Sequence, residues 1–233
     1  MSDGAAERLG RVREAIARAA DAAGRDPDSI RLVAVGKRFP AAAIEAVYRA
    51  GQRDFGENRV QEAEEKVPAL PADIRWHLVG HLQANKTAKA IPLFSLIHSV
   101  DSAKLARRLE RQAGEAGRSL EALVQVDLAG EATKSGLPPA ELPELLAEAR
   151  EFRHLALRGL MILPPFHPDP QEVRPYFRSL RELSEDLQGR GLLGATGEVA
   201  LSMGMSHDFP VAVEEGATLV RVGTSIFGER PPV

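Results

Sequence analysis

Two residues stand out for the chemistry they would allow where they sit. Lys37 closes the apolar run Ile30-Arg31-Leu32-Val33-Ala34-Val35-Gly36, and strand alternation puts it on one face with Val33 and Val35. An amine at the edge of an apolar interior is partly desolvated, which frees the neutral form for Schiff-base chemistry with a carbonyl. A lysine that snorkels from a strand end into solvent fits the same pattern. Gly36 beside it would let a flat ring or another backbone come close. Arg221 interrupts Leu219-Val220-Arg221-Val222-Gly223, a run otherwise apolar enough to be buried on both faces. A buried guanidinium needs a partner, either a carboxylate on a neighbouring strand or a ligand.

A third feature joins these two. Ser202-Met203-Gly204-Met205-Ser206 and Gly223-Thr224-Ser225 are short, small-residue stretches that expose backbone N–H groups and hydroxyls, which suits an anion. Each is a weak motif alone, and two ordinary turns are the plain alternative. An amine, a permanent cation and an anion pocket together match pyridoxal 5′-phosphate (PLP), which has an aldehyde, a ring nitrogen and a phosphate to satisfy. Arginine stays protonated, so it would donate to the ring nitrogen and leave that nitrogen without its own proton, weakening the ring as an electron sink. A cofactor-free Schiff-base aldolase acting on a phosphorylated sugar would use the same groups, but it needs a relay carboxylate or tyrosine that the sequence does not identify.

Other candidates carry less. His77 and His81 are four apart, but a strand end falls between them, so no metal site is expected. Lys104, Arg107, Arg108 and Arg111, with Glu110 and Glu115 among them, read as a solvated helix face. There is no H-E-x-x-H, G-x-S-x-G or Walker motif.

The elements that would position these residues alternate regularly. Eight short β-branched runs are expected as strands: 30–37, 54–58, 75–80, 96–101, 121–128, 157–163, 198–205 and 218–227. Several are apolar throughout, as parallel strands covered on both faces must be. Between them lie helical periods, such as Val173, Phe177, Leu180, Leu183 and Leu187. Asp101 or Ser102 is expected to cap the helix carrying Leu105 and Leu109. Seven helices follow the first seven strands, and the segment from Asp3 to Ala23, with Leu9, Val12, Ile16 and Ala19 at spacings of three and four, supplies the eighth. The count predicts an α/β fold, a (β/α)8 TIM barrel whose N-terminal helix completes the outer ring, spanning 1–233 as one domain with no additional β-domain. A doubly wound open sheet would show a Gly-rich turn after the first strand, where Gly36-Lys37-Arg38-Phe39-Pro40 stands instead. In such a barrel the site lies at the C-terminal strand ends. That rule selects Lys37, Asn58, Gly80, Ser202, and Gly223 with Thr224.

Composition narrows the rest. The chain has 233 residues, 44% apolar and 27% charged, as ordinary globular chains do. Thirty basic against 33 acidic residues leave a net charge of −3, without the basic excess of a nucleic-acid binder. With no cysteine there is no disulfide, thiolate metal site or cysteine nucleophile. Met1 to Arg8 lack an apolar signal core, and no run approaches the ~20 apolar residues of a membrane span. The expected location is the cytoplasm.

The ordered stretches of the chain resemble a known family almost from end to end. They are Val35-Gly36-Lys37, Phe55-Gly56-Glu57-Asn58 with Val60-Gln61-Glu62, and Trp76-His77 leading to Gly80, Leu82-Gln83 and Asn85-Lys86. They continue with His98-Ser99-Val100-Asp101, Lys134-Ser135-Gly136, Arg158-Gly159-Leu160-Met161, Leu201 to Ser206 with Asp208, and Val220-Arg221-Val222-Gly223 with Ile226-Phe227-Gly228. The resemblance is to the pyridoxal phosphate homeostasis proteins. It implies the alanine racemase barrel without the racemases' β-domain. It implies PLP held as an internal aldimine on Lys37, Arg221 at the pyridine nitrogen, Ser202, Gly223 and Thr224 at the phosphate, and Asn58 near the ring. Gly36, Arg59 and His81 depart from the residues common in that family. The implied role is PLP homeostasis, buffering the cofactor or delivering it to PLP-dependent apo-enzymes and affecting amino- and keto-acid balance, with no established catalytic residue.

An amino-acid racemase is the rival within PLP chemistry. Racemisation needs a proton donor or acceptor on each face. Lys37 could serve one. The resembling racemases take the other from a tyrosine of a partner's β-domain, whereas Tyr48 and Tyr176 fall here on helices outside the barrel. Without a swapping domain, a monomer is expected.

Overall fold

The computed structural model describes residues 4–130, 135–195 and 197–229. Lys134, Met1 to Asp3 and Pro231-Pro232-Val233 lie outside the described residues.

The strands are β1 (Arg31–Val35), β2 (Asp54–Glu57), β3 (Arg75–Leu78), β4 (Leu96–Val100), β5 (Leu120–Gln125), β6 (Leu155–Met161), β7 (Ala200–Met205) and β8 (Leu219–Val222). They form one closed parallel barrel in chain order, with β8 returning to β1 through the pairs Val33 to Arg221 and Ala34 to Val222. The expected barrel is therefore the observed one. Closure leaves no strand edge open.

The helices between strands are α2 (Ala41–Arg49), α3 (Val60–Lys66), α4 (Thr87–Ala90), α5 (Ala103–Glu115), α6 (Leu142–Ala149), α7 (Arg174–Gly189) and α8 (Phe209–Glu214). The first helix, α1 (Ala5–Ala22), packs against α2 and α8 and fills the gap that β8 leaves. Leu9, Val12, Ile16 and Ala19 are its buried stripe. Ser102 begins α5 as a cap, its hydroxyl accepting from Leu105 N at 3.3 Å. Most of the apolar core lies between barrel and helices, around Ile44, Leu109, Leu142 and Phe177, all fully buried. Truncating such a leucine to alanine costs about 2–5 kcal/mol.

Several expected strand bounds change: 121–128 ends already at Gln125, 157–163 lies two residues earlier as Leu155–Met161, and 198–205 starts at Ala200. The run 218–227 is not one strand: β8 stops at Val222, and Thr224–Phe227 form a short helix, α9, whose last two amides bond back to Gly223 O. Phe227 thereby turns outward and stacks on Phe39 with centroids 5.1 Å apart. The strand ends at 37, 58 and 80 are also trimmed, so Lys37, Asn58 and Gly80 stand on the loops just beyond β1, β2 and β3.

A smaller cluster fills the barrel itself: Val33, Val35, Val79, Leu96, Leu123, Met161 and Leu219. Buried among the same strands are polar side chains, Asp54, His77, His98, Ser202 and Arg221. Charged and polar groups taken out of water must bond to one another, and these do.

Candidate functional site

Lys37 is set by the turn after β1. Gly36 continues the ladder by donating its N–H to Gly56 O at 2.9 Å. Its carbonyl accepts from the buried Lys66 Nζ at 3.1 Å. On the other side of Lys37, Arg38 N donates to Glu62 Oε2 at 2.7 Å. Arg38 has φ 67°, a left-handed conformation that costs a side-chain-bearing residue energy and persists where neighbours enforce it. The two peptide groups flanking Lys37 are thus both tied to α3. Lys66 is itself held by Glu57 at 2.7 Å, and burial pushes the Glu57 carboxyl up to about 7 against the pull of Lys66.

Arg221 points into the barrel from β8. Nη1 donates to Ser202 Oγ at 2.6 Å and Nη2 to Ile162 O at 2.9 Å. Burial lowers its pKa to about 10, with Asp208 working the other way, so it remains a cation at neutral pH. Among the described residues its hydrogen bonds go to a hydroxyl and a carbonyl rather than to a carboxylate, and Asp208 acts on it only through its charge.

Ser202 is not at the rim. It is fully buried, one layer below, between Arg221 and His98, whose Nδ1 lies 2.8 Å from Ser202 Oγ. The cause is a register shift. Ser202 pairs with Leu219, but Met205 pairs with Arg221, so β7 carries one extra residue there. Gly204 takes up the irregularity at φ 88°, where a side chain would be strained. The hydroxyl level with the rim is Ser206, which the sequence reading did not single out as a contact. It accepts from Gly223 N at 3.0 Å. This joins the ends of β7 and β8 as the strand-end rule anticipated.

One cavity of about 350 Å³ collects the remaining residues: Lys37, Asn58, Arg221, Gly223 and Thr224 all line it, with Ser206. Its apolar walls are Val35, Val79, Leu163 and Met205. The volume suits a small organic ligand. Gly80, also on the wall, could not be anything larger, since a Cβ there would lie 2.3 Å from Asn58 O. An amine, a guanidinium, hydroxyls and the small-residue turn at Gly223 around an apolar slot fit PLP.

Sequence reasoning missed what lies beneath. His77 bonds not with His81 but with His98, Nδ1 to Nε2 at 2.9 Å, and with Asp54 Oδ1 through Nε2 at 3.0 Å. His77 shares the inward alternation of Val79, and His98 that of Leu96, which was the available signal. Burial lowers both histidines, His98 well below 6.5, where His77, Arg221 and Arg31 add repulsion. Asp54 is buried, yet His77 and Arg75 bonds hold it at about 2. A histidine neutral in the fold and near 6.5 when unfolded contributes stability above pH 6.5 that is lost as pH falls. The stability difference between the wild type and His98→Asn is therefore expected to shrink below pH 6.5, by up to ~1.4 kcal/mol per pH unit, in chemical denaturation. A constant difference from pH 7.5 to 5 would contradict the buried neutral imidazole.

Of the α5 stripe expected to face solvent, Lys104, Arg107 and Arg111 do, whereas Arg108 is half-buried with Nε on Thr87 Oγ1 at 3.0 Å and Glu110 accepts the backbone amides of Arg153, His154 and Leu155. Arg107 pairs with Glu148 at 2.6 Å and Arg111 with Glu115 at 2.6 Å. Among the described residues no cluster suited to a metal ion occurs, and no helix is long and apolar enough to cross a membrane.

The chain matches the family of the alanine racemase N-terminal domain over residues 8–231. It is 43% identical over 227 residues to the pyridoxal phosphate homeostasis protein of Aquifex aeolicus, covering 97% of this chain and 98% of that one. Its fold resembles that of PipY from Synechococcus elongatus, solved with PLP bound, at a TM-score of 0.83 and 44% identity over 96% of this chain and 99% of that chain. An alanine racemase of Clostridium difficile shares the barrel at a TM-score of 0.71 but only 13% identity, over 94% of this chain and 57% of that chain.

Proposed function

This chain belongs to the pyridoxal phosphate homeostasis protein family, and we propose that it binds PLP reversibly and serves intracellular PLP balance. The observation that carries the reading is the cavity at the C-terminal rim that gathers Lys37, Arg221, Gly223 and Thr224. The PLP in the Synechococcus relative supports it.

When bound, PLP supplies an aldehyde that condenses with a primary amine, and a ring that can accept electrons. Lys37 provides the amine, and its turn is held by Lys66 and Glu62. Arg221 would donate to the pyridine nitrogen of the bound cofactor, and being a cation already it would disfavour a proton on that atom and so keep the ring a poor electron sink. Gly223, Thr224 and the Ser206 hydroxyl would hold the phosphate, with Asn58 beside the ring. Val35, Val79 and Leu163 line the slot and would exclude water from it.

These features suit a carrier better than a catalyst. Tyr48 lies on α2 with its hydroxyl bonded to Asp73 at 2.6 Å, and Tyr176 lies on α7, so neither reaches the cavity. The reading is a non-enzymatic cytoplasmic monomer, one barrel forming one binding unit, that buffers PLP and hands it to PLP-dependent apo-enzymes. The PLP-loaded protein is expected to restore activity to a PLP-dependent apo-enzyme. Its turnover of amino-acid enantiomers should fall far below the ~10 s⁻¹ typical of enzymes. A wild type that takes up no added PLP would refute the binding itself, and racemisation near that rate would make it an enzyme.

A further inference from the structure

The donors and acceptors inside the barrel run in one direction. Asp54 is ionised at neutral pH and can only accept, so His77 Nε2, 3.0 Å from Oδ1, carries the proton. Burial keeps His77 neutral, which leaves its Nδ1 bare as an acceptor. The atom facing it at 2.9 Å is His98 Nε2, which must therefore donate. His98 is neutral too, so its Nδ1 is bare and takes the hydroxyl proton of Ser202 at 2.8 Å. With that proton committed, Ser202 Oγ offers a lone pair to Arg221 Nη1 at 2.6 Å. No proton in the series has a second place to go.

The two ends differ in character. Arg221 is at the cavity and buried, hydrogen-bonded to Ser202 Oγ and Ile162 O and influenced by the charge of Asp208. Asp54 is at the opposite end of the barrel, where Arg75, 57% exposed, grips its two oxygens at 2.9 and 2.6 Å. A polarised hydrogen-bond chain thus connects a cation at the rim to an anion four side chains away. Chains of this kind strengthen each member, and a partly satisfied one costs more than none.

We infer that Asp54, His77, His98 and Ser202 are positioning residues for Arg221, forming a one-way hydrogen-bond chain through the barrel that ends on Asp54 and fixes the guanidinium against the cofactor's pyridine nitrogen, while the carboxylate that acts on its charge is Asp208. This rests on the PLP-binding reading above. It assigns a purpose to a buried histidine pair that does not line the cavity. Ser202 then acts on the cofactor through Arg221 rather than by touching the phosphate.

The test uses full-length protein. Nitrogen-15 NMR of histidine side chains in cofactor-free protein at pH 7 should show His77 and His98, assigned by single His→Gln variants, both as neutral Nε2–H tautomers. Asp54→Asn should lose that uniform pattern and bind PLP about 5- to 30-fold more weakly, while PLP at saturation still attaches to Lys37. Ser202→Ala, which breaks the chain beside Arg221 and serves if Asp54→Asn does not fold, should weaken PLP similarly but leave the His77 tautomer unchanged. A merely structural role would not move the tautomer and the affinity together. Finding either histidine as Nδ1–H or as imidazolium overturns the inference, as does wild-type PLP affinity in the variants that fold. A wild type that takes up no PLP overturns the functional reading instead, and the purpose assigned to the chain falls with it even where the tautomers stand as predicted.

Discussion

Lys37→Ala is expected to abolish the visible absorbance that the wild type gains with PLP, and to leave borohydride nothing to fix, while the protein stays folded. Among the described residues that line the cavity, Lys37 carries the one primary amine; the others offer hydroxyls, an amide, imidazoles and a guanidinium. Lys66 is near in the fold but turned away, being buried against the Gly36 carbonyl and paired with Glu57. Its Nζ has no path to the cavity without breaking that pair, a change costing about 3–5 kcal/mol. The fold should survive because Lys37 is only half-buried and the turn is held by backbone atoms of Gly36 and Arg38. Thermal unfolding should shift by no more than a surface substitution does, within about 0.5 kcal/mol. Noncovalent PLP binding should persist at reduced affinity through Arg221 and the phosphate side. A Lys37→Ala protein that keeps the band would mean another lysine carries the cofactor.

Arg221→Gln is expected to weaken PLP about 10- to 100-fold. A hydrogen bond from a charged donor is worth about 1.5–3 kcal/mol, and glutamine keeps length and one donor but not the charge. The same substitution removes the cation on which Ser202 depends and puts a neutral amide where Nη1 and Nη2 bonded to Ser202 and Ile162 O. It should also change the spectrum. Without a cation beside it, the ring nitrogen can accept a proton, and the absorbance of the bound cofactor should become pH-dependent near neutrality where that of the wild type is flat. Equilibrium titration and a pH series on the variant measure both effects. Unchanged affinity with an unchanged spectrum would make Arg221 a structural residue of the barrel.

The barrel was legible because its strands are continuous apolar runs, and because eight strands need eight covers and α1 was there to supply the last. Lys37 and Arg221 were legible for the converse reason, since each is a charge where alternation and hydrophobicity forbid one. The boundary of β8 was misread because Ile226 and Phe227 extend an apolar run across Gly223, and apolarity alone does not distinguish a strand from a short helix. Ser202 was assigned to the rim by counting along β7, and the count failed at the register shift that Gly204 absorbs. Ser206 belonged to the anion-suited stretch, but regular counting could not choose it over Ser202. The His77–His98 pair was hidden in a different way. Its bonds connect β2, β3, β4 and β7, and contacts of that separation leave no mark in local spacing. Only the placement of two imidazoles on inward positions of adjacent strands pointed to it.

The most direct measurement is a peptide map of the wild-type protein after PLP loading and borohydride reduction. One pyridoxyl group, carried on the peptide that contains Lys37, is the predicted result. A map with the label on Lys66, Lys86 or any other lysine, or with no label at all, would contradict the arrangement of amine, guanidinium and phosphate pocket around one ligand.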